Sequence, residues 1–184
     1  MKLIHIRGGH ASGKTETVRQ YLNKHQHREE HISAGAFDSI VTITDTGVIV
    51  LGQYAEAGCG GVDRYKSVEH VKRTIIAVCG ARTIIFEGMI YGRRYKSTKE
   101  IINVANTLGY EYHGVLIERD LRQRAELIRQ RNGGKSIDMR NFVQSSRDAR
   151  NSTMRLLKDG YRVDVVNVTE MTKEQMGEII EQRI

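Results

Sequence analysis

"RGGHASGKTET" spans residues 7–17 and follows directly on the apolar run Lys2-Leu3-Ile4-His5-Ile6. Within it, Gly8-Gly9-His10-Ala11-Ser12-Gly13-Lys14-Thr15 matches G-x-x-x-x-G-K-[ST] at every position. The match sits between a strand pattern and a helix pattern, as a phosphate-binding loop requires. Glycines let the backbone wrap so that its N–H groups face phosphate oxygens, and the following helix N-terminus adds positive potential. In such a loop Lys14 reaches the β- and γ-phosphates and the Thr15 hydroxyl ligates Mg2+. The expected cofactors are therefore ATP and Mg2+, held by residues 8–15 at the head of a helix running to about His25.

Working outward, a strand is expected near 29–34, and "DSIVTITDTGVIVLGQY" (38–54) reads as a β-hairpin. Alternating β-branched residues flank Asp45-Thr46-Gly47, a turn in which glycine supplies positive φ. A second glycine cluster, "AGCGGVDR" (57–64), leads into a helix over about 67–79. "RTIIFEG" (82–88) is continuously apolar through Ile84-Ile85-Phe86, the mark of a strand buried on both faces. A helix at about 97–108 stops at Gly109, and strand 111–117 follows. A basic helix near 120–131, the loop "NGGKSID" and a helix at about 139–159 come next. Strand 161–168 and helix 171–183, capped by Thr169 or Thr172, complete the chain. Strands alternating with helices predict an α/β three-layer fold with a mostly parallel central sheet. The 184 residues suit one domain, with 38–54 as an inserted hairpin and 119–138 as a lid.

Glu87 ends the buried strand, where open α/β sheets bind their ligands. It is expected to order Mg2+ through water or to polarise an acceptor. In "RDLRQRAELIRQR" (119–131), Leu121, Ala125 and Ile128 form one apolar stripe at helical spacing. Arg122 and Arg129 flank it on one side, Arg124 and Arg131 on the other. The expectation is a helix packed by its stripe and offering guanidinium groups to phosphate, Arg122 as a nucleotide contact and Arg124 in catalysis, with the glycines behind as a hinge.

The formal charge is +7 with a pI near 9.5, which favours polyanionic partners. The excess is local. Residues 91–99 carry four basic and no acidic side chains, and residues 119–140 carry seven basic against three acidic. No apolar run approaches the roughly 20 residues that span a bilayer. Two cysteines, Cys59 and Cys79, make no disulfide framework, so a reducing cytoplasm is expected. His25, His27 and His31 lack the spacing of a four-ligand metal set. The Asn-Lys-x-Asp signature of guanine recognition is not present.

The loop, the strand ending in Phe86-Glu87-Gly88 and the arginine-rich lid together resemble the nucleoside-monophosphate-kinase-like branch of P-loop NTPases. "VLGQYAEAGCGGVDR" (50–64) is similar to a narrower group, the phage-type P-loop kinases that phosphorylate 5-hydroxymethyluracil in DNA. That likeness implies a kinase acting in the cytoplasm of an infected bacterium on DNA containing a modified pyrimidine. It places Gly60-Gly61-Val62-Asp63 at the acceptor site. Asp63 is then the expected acceptor-side carboxylate, with Asp38 and Glu87 as rivals. Arg64, Lys66, Arg93, Arg94 and Lys96 are expected to follow the DNA phosphates, and Tyr54, Tyr65, Tyr91 and Tyr95 to stack on an extruded base. A deoxynucleoside monophosphate kinase and a nucleotide-hydrolysing, nucleic-acid-binding factor remain the alternatives.

Overall fold

The computed structural model describes residues 1–54, 60–134 and 138–184. Cys59, the start of the second glycine cluster and part of the expected hinge (135–137) lie outside the described residues. β1 (Lys2–Arg7) is an interior strand of a seven-stranded sheet among the described residues, with Leu3, Ile4 and Ile6 fully buried. It pairs in parallel with β5 (Thr83–Glu87) on one side and β6 (Glu111–Glu118) on the other, and β7 (Arg162–Asn167) extends the parallel run past β6. β2 (His27–Ala34), β3 (Phe37–Thr44) and β4 (Val48–Leu51) complete the order β2-β3-β4-β5-β1-β6-β7.

The hairpin within 38–54 forms, but it is not an insertion. β2, β3 and β4 make an antiparallel meander, and β4 pairs in parallel with β5 through Val48↔Thr83, Ile49↔Ile84 and Val50↔Ile85. The reason is legible in hindsight. "VIVL" is apolar at every position, Val50 and Leu51 are fully buried, and such a strand needs cover on both faces. The β3–β4 turn does rest on Gly47, at φ 77°.

Helices cover both faces. α1 (Lys14–Leu22) and α7 (Lys173–Glu181) lie on one side, where Ile4, Ile6, Val18, Ile85, Val115 and Ile180 form a core. α2 (Val68–Ala77), α4 (Tyr95–Thr107) and α6 (Met139–Lys158) lie on the other, over Leu3, Val71, Ile84, Phe86, Ile101 and Leu156. Caps follow local chemistry: Ser67 accepts from His70 N at the head of α2, and Thr172 forms a capping box with Gln175 on α7. The expected helix over 97–108 forms as α4, and a short α3 (Met89–Arg93) that the sequence pattern did not reveal precedes it. Extended backbone at Arg94 separates them.

From β1 the chain runs to β2 at the far edge, steps back through β3 and β4 to β5, then crosses β1 to reach β6. β1 is therefore the switch point of the sheet, and a crevice opens beyond its C-terminal end. The glycine-rich loop emerges into that crevice.

Candidate active site

Between β1 and α1 the loop coils tightly. Gly8, Ala11 and Gly13 all have positive φ, at 150°, 51° and 107°. A β-carbon on Gly8 would overlap Ser12 Oγ and lie 2.7 Å from the Ile117 carbonyl oxygen, so only glycine fits there. Lys14 is buried and donates from Nζ to the Gly9 carbonyl at 3.1 Å, folding its ammonium across the loop. Burial, then the charges of Lys14, Arg93 and Arg124, holds the His10 imidazole below its ordinary pKa. The mouth of the loop is thus strongly electropositive, and His10 contributes none of that charge near neutrality.

Thr15, first turn of α1, donates from Oγ1 to Glu87 Oε1 at 2.7 Å. Glu87 is 1% exposed. Burial pushes its carboxyl up to about 7, only partly opposed by Lys14 and the Thr15 hydroxyl. A hydroxyl and a carboxylate side by side at the loop are hard oxygen donors of the kind Mg2+ takes alongside substrate phosphates and water. These two residues fit that ion. Among the described residues no three His, Cys, Asp or Glu side chains converge as a metal cage.

The second glycine cluster packs onto this pair. Gly61–Arg64 forms a 3-10 turn over the end of β5. Gly61 has φ +74°, and a β-carbon there would overlap the Glu87 carbonyl oxygen and lie 2.8 Å from Oε1. Gly60 rests on the Tyr54 ring and Thr15 Cγ2. Replacing Gly61 with alanine should therefore cost about 2–4 kcal/mol and displace Glu87. Thermal unfolding, with Gly47→Ala as an open-space control of similar positive φ, separates clash from backbone strain. Asp63 accepts from Met89 N at 2.8 Å through Oδ1, with Ile90 N at 3.5 Å. Its carboxylate thus stands one short turn beyond Glu87-Gly88, capping α3.

The lid helix departs from its expected packing. In α5 (Leu121–Arg131) the buried side chain is Arg124, at 5% exposure, while Leu121 is 42% exposed. Arg124 donates from Nε and Nη2 to the His10 carbonyl at 2.8 and 2.6 Å, and from Nη1 to Ser146 Oγ at 2.6 Å. Its guanidinium also lies 4.6 Å from the Phe142 ring centroid. A wheel count assigns arginine to the surface. Here an outward-facing loop carbonyl, a hydroxyl and an aromatic face satisfy the guanidinium, and it turns inward. Arg122 remains exposed on the other flank. Arg119, not singled out by the sequence pattern, places Nη2 3.5 Å from Met176 Sδ and beside Gly13. A cleft of about 580 Å3 opens from Gly9 over the ends of β6 and β7, lined by Arg119, Asp120, Arg124, Asn167 and Thr169 among others. That is a common size for a small-molecule site.

The remaining expected residues divide. Arg93 pairs with Asp148 at 2.8 Å, Arg64 donates to Gln53 Oε1, and Arg94 is exposed. Asp38 is exposed on β3, two strands from β5, and shares no hydrogen bond with Asp63 or Glu87. The tyrosines do not form an open stacking platform. Tyr54, Tyr65 and Tyr91 are buried, and Tyr95 donates to Asp159. The rings of Tyr54, Tyr65 and Tyr91 belong to the two cores, and Tyr95 packs half-buried at the edge of one of them.

No protein-family model matches the chain. It resembles two curated phage proteins, each named 5-hmdU DNA kinase. With that of Delftia phage PhiW-14 it is 32% identical over 113 residues, 54% of this chain and 41% of that protein. With that of Pseudomonas phage M6 it is 25% identical over 172 residues, 89% of each.

Proposed function

We propose that the chain is an Mg2+- and ATP-dependent P-loop kinase that phosphorylates the hydroxymethyl group of 5-hydroxymethyluracil in DNA. The observation that carries this reading is the meeting of three separate segments at the end of β5. These are the loop 8–15, Glu87 and the turn 60–63, the last bearing the likeness to such kinases. The two phage kinases, one matched along 89% of its length, support the same class of reaction.

In this reading, the loop's backbone N–H groups and Lys14 hold the β- and γ-phosphates. Mg2+, when bound at Thr15 and Glu87, neutralises charge on those phosphates. Arg124 fixes the loop by gripping its His10 carbonyl, and Arg122 is the lid arginine left to reach nucleotide. The acceptor hydroxyl oxygen attacks the γ-phosphorus, ADP leaves with the bridging oxygen, and the hydroxyl proton passes to a carboxylate. Asp63 is the assigned acceptor of that proton: in this reading Glu87 is given to Thr15 and Mg2+, and the bonds from Met89 N and Ile90 N to Asp63 go to Oδ1. The exposed Arg64 and Arg94, with Arg93 beside them, follow the DNA phosphates. An extruded base enters above Gly60-Gly61, with the Tyr54 ring supporting those glycines from beneath. No described helix is long and apolar enough to cross a membrane; the phage origin of the two relatives is what places the work in an infected host's cytoplasm in this reading.

The deciding assay offers γ-labelled ATP with hydroxymethyluracil-containing DNA, ordinary DNA or free deoxynucleotides. Label on the modified DNA alone is expected. Label on free nucleotides alone identifies a deoxynucleoside monophosphate kinase, and ATP loss without a labelled acceptor identifies a hydrolysing factor. Asp63→Asn keeps an oxygen to cap α3 but removes the base. Transfer should fall about a hundredfold or more, with ATP affinity within about threefold of wild type and little change in melting temperature. An equal loss of ATP binding would remove Asp63 from the acceptor side.

A further inference from the structure

Arg7, the last residue of β1 and the one preceding the loop, is fully buried. Strand alternation sends it, with His5, to the face opposite Ile4 and Ile6. Its guanidinium donates to Thr153 Oγ1 from Nε, to Thr98 Oγ1 and Tyr112 OH from Nη1, and to the Gly92 carbonyl and Ser152 Oγ from Nη2. His5 Nδ1 lies 3.2 Å from Nη1. Every N–H has a partner, yet every partner is neutral. Among the described residues no carboxylate pairs with Arg7.

His5 does not offset the charge. Burial, followed by the positive fields of Arg7 and Lys14, holds its imidazole well below the usual pKa, so the ring is neutral and accepts at Nδ1. It stacks on Phe86 with centroids 4.0 Å apart, which seals the pair from solvent. An arginine does not shed its proton, and a buried charge without a counter-ion is destabilising. Neutral side chains of similar volume would fill this space without that cost. Asp148, one turn before Ser152 on α6, is paired with Arg93, and the loop where phosphate charge is expected begins at the residue after Arg7. Gly92, whose carbonyl Arg7 holds, packs on the Arg7–Gly8 backbone, its β-carbon position 3.6 Å from Arg7 Cα and from Gly8 N.

We infer that Arg7 is a positioning residue that supplies a permanent, solvent-shielded positive charge to the triphosphate site through the loop it precedes. This rests on the nucleotide-binding reading of residues 8–15. In low dielectric a unit charge acts over several ångströms and is little screened by salt. Its effect must grow with the number of phosphates, because each adds negative charge in the same field.

The test is calorimetric titration of the full chain, free of divalent metal, with ATP, ADP and AMP. Arg7→Met and Arg7→Gln remove the charge, and Arg7→Lys keeps it while losing most of the hydrogen bonds. The neutral variants should weaken ATP by on the order of tenfold or more, ADP by less and AMP least. Arg7→Lys should keep the wild-type ATP-to-AMP ratio within about threefold despite a lower melting temperature. Equal weakening of all three nucleotides in the neutral variants, or none, would overturn the inference. If neither neutral variant folds, a ratio lost in Arg7→Lys overturns it and a ratio kept as stability falls supports it. A wild-type chain that prefers ATP no more than AMP overturns the nucleotide reading and this inference together. A wild-type gradient left intact by Arg7→Met overturns this inference alone.

Discussion

Lys14→Ala should abolish phosphoryl transfer, lowering single-turnover transfer from labelled ATP by about a thousandfold or more. The side chain is 7% exposed and donates from Nζ across its own loop to the Gly9 carbonyl. In the proposed reading it stands beside the γ-phosphate, where charge builds as the phosphoryl group moves. The same substitution should leave the melting temperature nearly unchanged. Lys14 adds to the positive field on His10 but also attracts the Glu87 carboxylate, so its removal has opposing electrostatic effects of similar kind. Loss of transfer with retained folding is the expected pair of results. Unfolding in step with inactivity would instead make Lys14 a structural residue.

Glu87→Gln should erase two pH dependences and most of the activity. In the free chain the Glu87 carboxyl is raised from 4.5 to about 7 by burial. A raised carboxyl favours the folded state in its protonated form. That contribution is complete below the ordinary carboxylate range and is lost as pH rises through about 7. Wild-type stability should thus decline by about 3 kcal/mol from pH 4.5 to 8 on account of this group, a slope that the glutamine variant lacks. Binding of Mg2+ with nucleotide has the opposite sign, because it needs the carboxylate. Apparent affinity should rise about tenfold between pH 6 and 8 and then level off. Glu87→Gln should flatten that profile and reduce transfer by about a hundredfold or more at every pH. A variant that keeps the wild-type pH profile would show that another group takes the proton.

Much of the segment proposed to hold nucleotide was legible locally. The strand, the eight-residue loop and the helix are contiguous, and each is encoded by its own spacing: apolar run, glycines and a helix whose first turn holds Lys14 and Thr15. Glu87 was equally readable, because "TIIFE" is buried along its whole length and can end only at the ligand edge of a parallel sheet. The hairpin was found but misplaced. Alternation in 38–44 gave its antiparallel partner, whereas the non-alternating "VIVL" was the sign of membership in the central sheet.

By itself, the sequence determined the loop at 8–15, the buried strand at 83–87 and the α/β alternation, since short-range periodicity and steric need encode them within a few residues. Only the tertiary structure decided that Gly61 presses on Glu87, that Arg124 turns inward to the His10 carbonyl and that Arg7 lies buried among neutral acceptors. In each case residues 26 to 146 positions apart meet. The outcome depends on which donors, acceptors and volumes compete in one place after the chain has closed. An arginine's own neighbours in sequence carry no record of that competition.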